Sequence, residues 1–261
     1  MERDSLAVAE RAARAGGEEA LAGFRGDRRV TTKAHKNDLV SDADEAAQER
    51  VVAALREASD APIVGEEDGQ RSMVPDDGRA WIVDPIDGTA NYLRGVRLWT
   101  TSVAFLDGGE PAAAATVMPA LDDAYVADGA ETRLNDEAVT VSERDDLETF
   151  AVAVLGWGPL GEREGYARLA EAIVRHCGDM RRFGSMQSAL AFVATGRLDA
   201  AIATRRPNPW DSVAGVRLIR QAGGRVTGLD GERWRHDSDG LVASNGADHE
   251  AVLSVARAAA D

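Results

Sequence analysis

The stretch of sequence that decides the fold is Trp81–Tyr92, which reads WIVDPIDGTANY. Its first three residues are apolar and predict the end of a buried strand. Pro85 fixes the backbone φ angle and has no amide hydrogen, so we expect the strand to stop there. Gly88–Thr89 then begins a short predicted helix. Two carboxylates, Asp84 and Asp87, therefore lie on a stiff turn beside the first amides of a helix.

This combination indicates a metal-dependent phosphate site. Carboxylate oxygens suit Mg²⁺, and amides at the start of a helix suit phosphate. Further acids adjoin other predicted elements: Glu66 and Glu67 follow a strand, and Asp211 begins a helix. If these acids converge, each close pair repels by roughly 3 kcal/mol at ~5 Å with an effective dielectric near 20. Such a cluster needs bound cations or raised pKa values, and oxygen ligands alone favour Mg²⁺ or Mn²⁺ over Zn²⁺.

The composition describes an acidic globular chain. Its 261 residues can bury a full core, and 44% of them are hydrophobic. A change in pattern near residues 145–150 suggests two closely packed halves, residues 1–147 and 148–261. The net charge of −15 disfavours nucleic acid as a partner. Lys33 and Lys36 are the only lysines. An acidic, lysine-poor chain is typical of adaptation to high salt, which we favour slightly over GC-rich coding.

Other features indicate the compartment in which the protein works. Cys177 is the single cysteine, which excludes an internal disulfide and fits a reducing cytoplasm. Residues 1–16 carry charges throughout, as in a surface helix and unlike a signal peptide. No apolar run approaches the length of a membrane span. We therefore expect a soluble, cytoplasmic protein with no membrane partner.

The hydrophobic pattern changes along the chain. Predicted helices cover residues 4–24, 41–58, 162–176, 185–195, 211–221 and the segment from 247 onward. Predicted strands cover residues 62–64, 81–84, 98–106, 112–118, 124–127, 138–141, 150–155, 180–183, 198–203 and 241–244. The strands from residue 98 to 127 are expected to be antiparallel, whereas strands and helices alternate after residue 150. Asp44 lies in the first turn of the second helix, where a capping box with Ser41 would contribute about 0.5–2 kcal/mol.

Three segments stand out in order along the chain: GEEDG (65–69), WIVDPIDGTANY (81–92) and WDSVAGVRLIRQAGG (210–224). KNDLVSDAD (36–44) precedes them, and RRFGSMQSALAFVATGRLDA (181–200) precedes the last. Together they resemble the signature segments of the inositol monophosphatase family, and the likeness runs through nearly the whole chain. This superfamily of Mg²⁺-dependent, Li⁺-sensitive phosphatases includes fructose-1,6-bisphosphatases and nucleotide 3′-phosphatases.

The resemblance implies a fold and an activity. The fold is the layered αβαβα sandwich of the inositol monophosphatase/fructose-bisphosphatase type, an α+β half followed by an α/β half. The activity is hydrolysis of a phosphomonoester by metal-activated water, with two to three Mg²⁺ ions and Mn²⁺ as a substitute. Family members are usually homodimers, so a homodimer is expected.

The resemblance also assigns the metal ligands. Glu66, Asp84 and the carbonyl of Ile86 are expected to hold a first metal ion. Asp84, Asp87 and Asp211 are expected to hold a second, with Asp84 bridging the two. Glu66 would also help to place a weak third ion.

Catalytic and substrate contacts follow from the same likeness. Thr89 and Asp44 are expected to orient and deprotonate the attacking water, which gives Asp44 a role beyond its cap. The amides of Gly88 and Thr89 are expected to cradle the phosphate. Glu66 is counted with the catalytic group. The full set of residues expected at the substrate is Asp87, Gly88, Thr89, Ser185, Met186, Arg205, Arg206 and Asp211.

One departure from the family bears on the substrate. Animal inositol monophosphatases carry a glutamate shortly before the WD motif that binds inositol hydroxyls, whereas this chain has Ala203 or Thr204 there. Arg205 and Arg206 follow, and they would either clamp a second phosphate or form a solvated basic pair. We expect hydrolysis of inositol 1-phosphate, fructose 1,6-bisphosphate or both. The alternatives are a nucleotide 3′-phosphatase acting on adenosine 3′,5′-bisphosphate and a catalytically weak regulatory relative.

Two other phosphate chemistries are disfavoured. Haloacid-dehalogenase phosphatases need two aspartates two positions apart, whereas Asp84 and Asp87 are three positions apart. The chain has no GxxxxGK[ST] segment, which disfavours a nucleoside triphosphatase.

Overall fold

The computed structural model describes residues 2–26, 30–32, 39–67, 70 and 72–260. Its helices are α1 (Glu2–Gly23), α2 (Asp42–Arg56), α3 (Thr89–Leu93), α4 (Glu164–His176), α5 (Met186–Ala194), α6 (Pro209–Gln221) and α7 (His249–Ala260). Its first strands are β1 (Val30–Thr32), β2 (Leu39–Ser41), β3 (Ile63–Gly65), β4 (Ala80–Asp87), β5 (Thr100–Asp107), β6 (Glu110–Met118) and β7 (Asp123–Ala127). The remaining strands are β8 (Thr132–Leu134), β9 (Glu137–Val139), β10 (Ala151–Val154), β11 (Asp179–Arg181), β12 (Ala200–Ala203), β13 (Arg225–Thr227) and β14 (Leu241–Ser244).

Two large sheets organise the described part of the chain, and β1 and β2 form a separate antiparallel pair. A seven-stranded sheet has the order β3-β4-β5-β6-β7-β8-β9 and is antiparallel except for the parallel pair β3–β4. A five-stranded sheet has the order β11-β10-β12-β14-β13, with β10 parallel to both of its neighbours. The antiparallel first sheet and the alternating strands and helices after residue 150 confirm the predicted change in pattern.

The helices form three layers around these sheets. Helices α1 and α2 pack on one face of the large sheet, and α5 and α6 fill the space between the sheets. Helices α4 and α7 cover the outer face of the small sheet. Along β4, Trp81 and Val83 point to α1 and α2 while Ile82 points to the central layer, as the two-residue period of a strand requires. The predicted αβαβα sandwich is confirmed.

The central cluster of buried residues draws on both sheets. It contains Ile82 and Tyr125 of the large sheet and Ala201 of the small sheet, with Leu190 and Val216 of the central helices between them. The division into residues 1–147 and 148–261 stays a prediction. No helix within the described ranges is long and apolar enough to cross a membrane.

The prediction that the strand stops at Pro85 is wrong. Strand β4 continues to Asp87, and its pairing with β5 shifts between Asp84 and Asp87. The sheet tolerates the proline for two reasons. On one side of β4, β3 ends opposite Val83, so no strand pairs with Pro85 there. On the other side, the register with β5 shifts between Asp84 and Asp87, so Pro85 need not donate a backbone hydrogen bond to β5. The hydroxyl of Thr101 donates to the Pro85 carbonyl at 2.7 Å. Both carboxylates of the motif are therefore fixed by the sheet itself.

Several other boundaries differ from the sequence prediction. The predicted strand 138–141 is a hairpin of β8 and β9 whose turn residues, Asn135 and Asp136, have positive φ angles of 49° and 69°. This two-residue turn is the type that favours Asn and Asp. Strand β13 was not predicted, and α6 begins at Pro209, a favoured first helical residue, rather than at Asp211. Residues 33–38 and 68–69, which include parts of KNDLVSDAD and GEEDG, lie outside the described ranges.

Candidate metal centre and active site

Three carboxylates from two elements meet at the end of β4. Asp84 and Asp87 lie on β4, and Asp211 lies in the first turn of α6. One oxygen of each side chain lies within 4.8 Å of the others. We call these three residues the carboxylate cluster. Asp87 and Asp211 also line a pocket of ≈ 260 Å³, together with Glu66 and Thr89.

Asp84 is the most unusual member of the carboxylate cluster. Its side chain is buried, and neither of its oxygens has a hydrogen-bond partner among the described residues. Burial raises the pKa of Asp84 well above its usual value, and the charges of Glu66, Asp87, Asp211 and Asp44 raise it further. A buried carboxylate without donors is costly unless a cation compensates it. The oxygen-only donor set and the orphaned oxygens of Asp84 fit a bound Mg²⁺.

Asp87 is held by the start of α5. Its Oδ2 accepts hydrogen bonds from the Ser185 hydroxyl and the Gln187 amide, both at 2.6 Å, and its Oδ1 accepts one from the Met186 amide at 3.2 Å. Burial raises the pKa of Asp87, and these hydrogen bonds oppose that shift. Ser185 and Met186, predicted at the substrate, thus line the pocket and also fix a member of the carboxylate cluster.

Asp44 contacts both Ser41, the capping partner expected from its sequence position, and Thr89, the partner that the family resemblance implied. Its Oδ2 accepts hydrogen bonds from the amide and hydroxyl of Ser41, at 2.8 and 2.6 Å, which completes the capping box of α2. The hydroxyl of Thr89 lies 3.1 Å from Asp44 Oδ1 and 3.1 Å from the Ile86 carbonyl. A buried carboxylate therefore faces a hydroxyl at the pocket, as a proton relay requires.

Gly88 provides the sharp turn between β4 and α3. Its φ angle is 97°, in the left-handed region that residues other than glycine rarely adopt. A Cβ at this position would lie 3.1 Å from Ser185 Cβ and 3.2 Å from the Gly184 carbonyl. Asn91 connects α3 to two segments, because its Nδ2 donates to the carbonyl of Leu98 before β5 and to the carbonyl of Phe183 before α5, each at 2.7 Å.

The two adjacent glutamates occupy different environments. Glu66 lines the pocket, and among charged groups it makes the largest contribution to the raised pKa of Asp84. It does not belong to the three-residue carboxylate cluster. Glu67 is buried, and its backbone amide donates to Gln48 Oε1 at 3.1 Å. This placement favours Glu66 over Glu67 as the residue that faces a metal ion.

Arg205 and Arg206 are not among the pocket-lining residues. Both are exposed, and Arg206 Nη2 donates to Asp239 Oδ1 at 2.9 Å on the surface. The structure therefore favours the solvated-pair alternative for Arg206 over the clamp on a second phosphate. The arginine that does line the pocket, within the described part of the chain, is Arg182.

Sequence reasoning missed a group of aromatic and arginine side chains, which we call the Trp157 cluster: Trp157, Arg163, Tyr166 and Arg182. The guanidinium carbons of Arg163 and Arg182 lie 3.9 and 4.4 Å from the Trp157 ring centroid. Tyr166 packs edge-on against the same ring, with 4.9 Å between the two ring centroids. Trp157, Tyr166 and Arg182 line the pocket. The available signal was a tryptophan between two glycines just after a predicted strand.

Comparison with known proteins places this geometry in a family. A family model described as the inositol monophosphatase family matches residues 1–260. A Nus factor SuhB from Xylella fastidiosa is 35% identical over 80% of this chain and 78% of its own length. A fructose-1,6-bisphosphatase/inositol-1-monophosphatase from Thermotoga maritima is 31% identical over 87% of this chain and 85% of its own. A histidinol-phosphatase from Mycobacterium tuberculosis is 35% identical over 87% and 88% of the two chains.

The solved structures agree with the sequence relatives. An inositol monophosphatase from Thermotoga maritima superposes with a TM-score of 0.87 at 29% identity, covering 99% of this chain and 98% of that one. The match therefore includes both sheets and all three helical layers. The chain belongs to the inositol monophosphatase family.

Proposed function

We propose that this protein is a Mg²⁺-dependent phosphomonoesterase that hydrolyses inositol 1-phosphate, fructose 1,6-bisphosphate or both. The observation that carries the proposal is Asp84, a buried carboxylate in an acidic cluster whose two oxygens have no hydrogen-bond partner among the described residues. Relatives named for phosphatase activity on these two substrates support the same chemistry.

The proposed ligand sets combine Glu66, Asp87 and Asp211, which line the pocket, with Asp84 and Ile86 of β4. Glu66, Asp84 and the Ile86 carbonyl would hold one ion, and Asp84, Asp87 and Asp211 a second. Glu66 would help to place a weak third ion. Bound Mg²⁺ supplies charge neutralisation and a lowered pKa for the attacking water. Its positive charge would offset the mutual repulsion of the carboxylates, which together with burial raises the pKa of Asp84.

The chain's own groups would manage the proton and the phosphate. The hydroxyl proton of Thr89 is directed to Asp44 and to the Ile86 carbonyl, so the lone pairs of its oxygen are left to accept a proton from water. Asp44 would receive that proton through Thr89. The amides of Gly88 and Thr89 would bind the phosphate oxygens in the turn that the glycine makes possible.

The substrate-facing residues indicate what the rest of the substrate contacts. Ser185 and Met186 line the pocket beside Asp87. Arg182 offers a guanidinium with donors for hydroxyl or anionic oxygens, and it stacks on the Trp157 ring beside the pocket. A guanidinium suits a phosphorylated polyol or sugar better than a cationic amine. We expect Arg182, rather than Arg205 or Arg206, to contact a second phosphate where one is present.

The test is phosphate release with Mg²⁺ from a panel of substrates. The panel contains inositol 1-phosphate, fructose 1,6-bisphosphate, adenosine 3′,5′-bisphosphate and L-histidinol phosphate, the last because one relative is named a histidinol-phosphatase. Asp84→Asn is the inactive control, since Asp84 accepts no hydrogen bond from the described part of the chain that asparagine would forfeit. Release from the first two substrates, lost in this variant, is the expected result. Faster release from adenosine 3′,5′-bisphosphate than from the other substrates would instead favour the nucleotide 3′-phosphatase alternative.

Relatives named Nus factor or putative Nus factor support the regulatory alternative. The intact carboxylate cluster and the Thr89–Asp44 contact argue against loss of catalysis in this chain. Absence of phosphate release from every substrate in the panel, with the fold intact, would favour the regulatory alternative.

A further inference from the structure

Gln187 is a fully buried polar residue in the first turn of α5, and the chemistry proposed above gives its side chain no role. Its Nε2 donates a hydrogen bond to the carbonyl of Trp210 at 2.6 Å, and its Oε1 accepts one from the amide of Gly215 at 2.9 Å. A carbonyl and an N–H as partners fix the orientation of the side-chain amide. The side chain is therefore hydrogen-bonded to both ends of residues 210–215, the segment of α6 that contains Asp211.

The backbone of the same residue contacts another member of the carboxylate cluster. The amide N–H of Gln187 donates to Asp87 Oδ2 at 2.6 Å. One residue thus connects Asp87 on β4 with the turn of Asp211 on α6. Like charges this close repel each other, so the separation of these two carboxylates has to be held by the surrounding structure.

The packing of α5 on α6 is built around this contact. A Cβ on Gly215 would lie 2.3 Å from Leu190 Cβ and 3.0 Å from Gln187 Oε1. The two helices can approach to this distance because position 215 is glycine. The close approach brings the Gln187 amide within reach of both of its partners on α6.

We propose that Gln187 is a positioning residue that sets the separation of Asp87 and Asp211 and thereby the divalent-metal affinity of the carboxylate cluster. The inference rests on the proposed function, because it requires that the cluster binds a divalent ion. Residues that orient metal ligands without touching the metal change affinity by about 10–100-fold when they are replaced. The side chain of Gln187 acts through Asp211, and its backbone acts through Asp87.

The test is Gln187→Met, which keeps the length of the side chain and removes both of its hydrogen bonds. Trp210 and Gly215 retain the partners that an α-helix itself supplies, so the fold is expected to survive. The probe is Mn²⁺ binding to substrate-free protein, followed by the electron paramagnetic resonance of unbound Mn²⁺. We expect the dissociation constant to rise about 10-fold or more. Gln187→Asn, one methylene shorter, can reach only one of its partners and is expected to show a smaller rise.

Thr132→Val is the matched control. The buried hydroxyl of Thr132 donates to the Leu218 carbonyl at 2.7 Å, so its loss removes a buried hydrogen bond to α6 away from Asp211. The control is expected to lower the melting temperature while leaving the Mn²⁺ dissociation constant unchanged. If both Gln187 variants bind Mn²⁺ as tightly as the control, the positioning role is overturned. If the unaltered protein itself binds no Mn²⁺, the proposed function fails first.

Discussion

At the scale of single residues, Asp84 is where stability and proposed function oppose each other most directly. It is buried among four other acids that raise its pKa, and no donor within the described structure contacts its oxygens. In the metal-free protein this arrangement costs free energy. The same arrangement gives a divalent cation a preformed set of oxygen ligands.

Asp84→Asn is therefore expected to stabilise the metal-free protein. Removing one charge from the cluster relieves pairs that each repel by roughly 3 kcal/mol at an effective dielectric near 20, so a gain of at least ~1 kcal/mol is expected. Thermal unfolding in the presence of a chelator measures it, with the exposed Asp60→Asn as the control. Added Mg²⁺ should raise the melting temperature of the unaltered protein and not that of Asp84→Asn. Equal stabilisation of both by Mg²⁺ would place the metal elsewhere.

His249 makes a separate prediction about acid stability. Its ring nitrogens lie 2.8 Å from the Ser244 hydroxyl and 3.0 Å from the Thr227 hydroxyl. Burial, together with the charge of Arg225, lowers its pKa from 6.5 to about 4. The unfolded state therefore binds more protons between these values, so stability falls as the pH drops from 6.5 towards 4, by roughly 3 kcal/mol in total.

The measurement is the free energy of unfolding across this pH range, compared with His249→Gln. Glutamine at position 249 does not titrate, so the pH dependence of the variant is expected to be flatter. If the free energy of unfolding depends on pH equally in both proteins, folding does not lower the pKa of His249 and the prediction is contradicted.

At the scale of elements, the turn from β4 to α3 shapes the pocket. Gly88→Ala is expected to destabilise the protein by about 1–2 kcal/mol, because its φ angle is left-handed, and also to weaken phosphate release. The added Cβ would press on Ser185 and Gly184, which line the pocket. Gly108→Ala is the control, since Gly108 has a φ angle of 60° and a Cβ there meets nothing within 4 Å. Both variants should lose stability, but only Gly88→Ala should lose activity.

The elements show what local sequence can and cannot predict. The apolar run Trp81–Val83 and the capping box at Ser41 are local patterns, and the structure contains the buried strand and the capping box that they predict. The continuation of β4 through Pro85 depends on where β3 ends, which no local pattern reveals. Strand β13 is three residues long and owes its existence to pairing with β14.

The candidate site divides in the same way. The carboxylate cluster was predicted because the family resemblance implied that these acids lie close together. Their spacing in the sequence alone does not imply it. The Trp157 cluster was missed, since its members come from three separate segments and meet only through packing. Arg205 and Arg206 were expected at the pocket because they are near Asp211 in sequence, whereas the fold directs Arg206 to Asp239.

At the scale of the whole molecule, the net charge of −15 makes a prediction about salt. Self-repulsion of an acidic surface destabilises the folded state, and salt screens it over a Debye length of about 3 Å at 1 M. We expect the melting temperature to rise steadily as KCl is added to molar concentration. A melting temperature that is unchanged or falls would remove the support for adaptation to high salt. The expected homodimer and cytoplasmic location stay predictions.

The layered architecture explains how distant parts of the chain form one centre. Asp84 and Asp87 belong to the large sheet, and Asp211 belongs to the central helices that pack between the two sheets. The separation of these carboxylates therefore depends on the packing of the whole sandwich. Disturbing the central layer should weaken metal binding even where no ligand is changed, as the Gln187 variants test.

The central claim is that these carboxylates form a divalent-metal centre, and anomalous diffraction from crystals soaked in Mn²⁺ tests it most directly. The expected result is an anomalous peak bounded by Asp84, Asp87 and Asp211, with a further peak beside Glu66. Peaks confined to other acidic residues, or none near Asp84 at saturating Mn²⁺, would contradict the account.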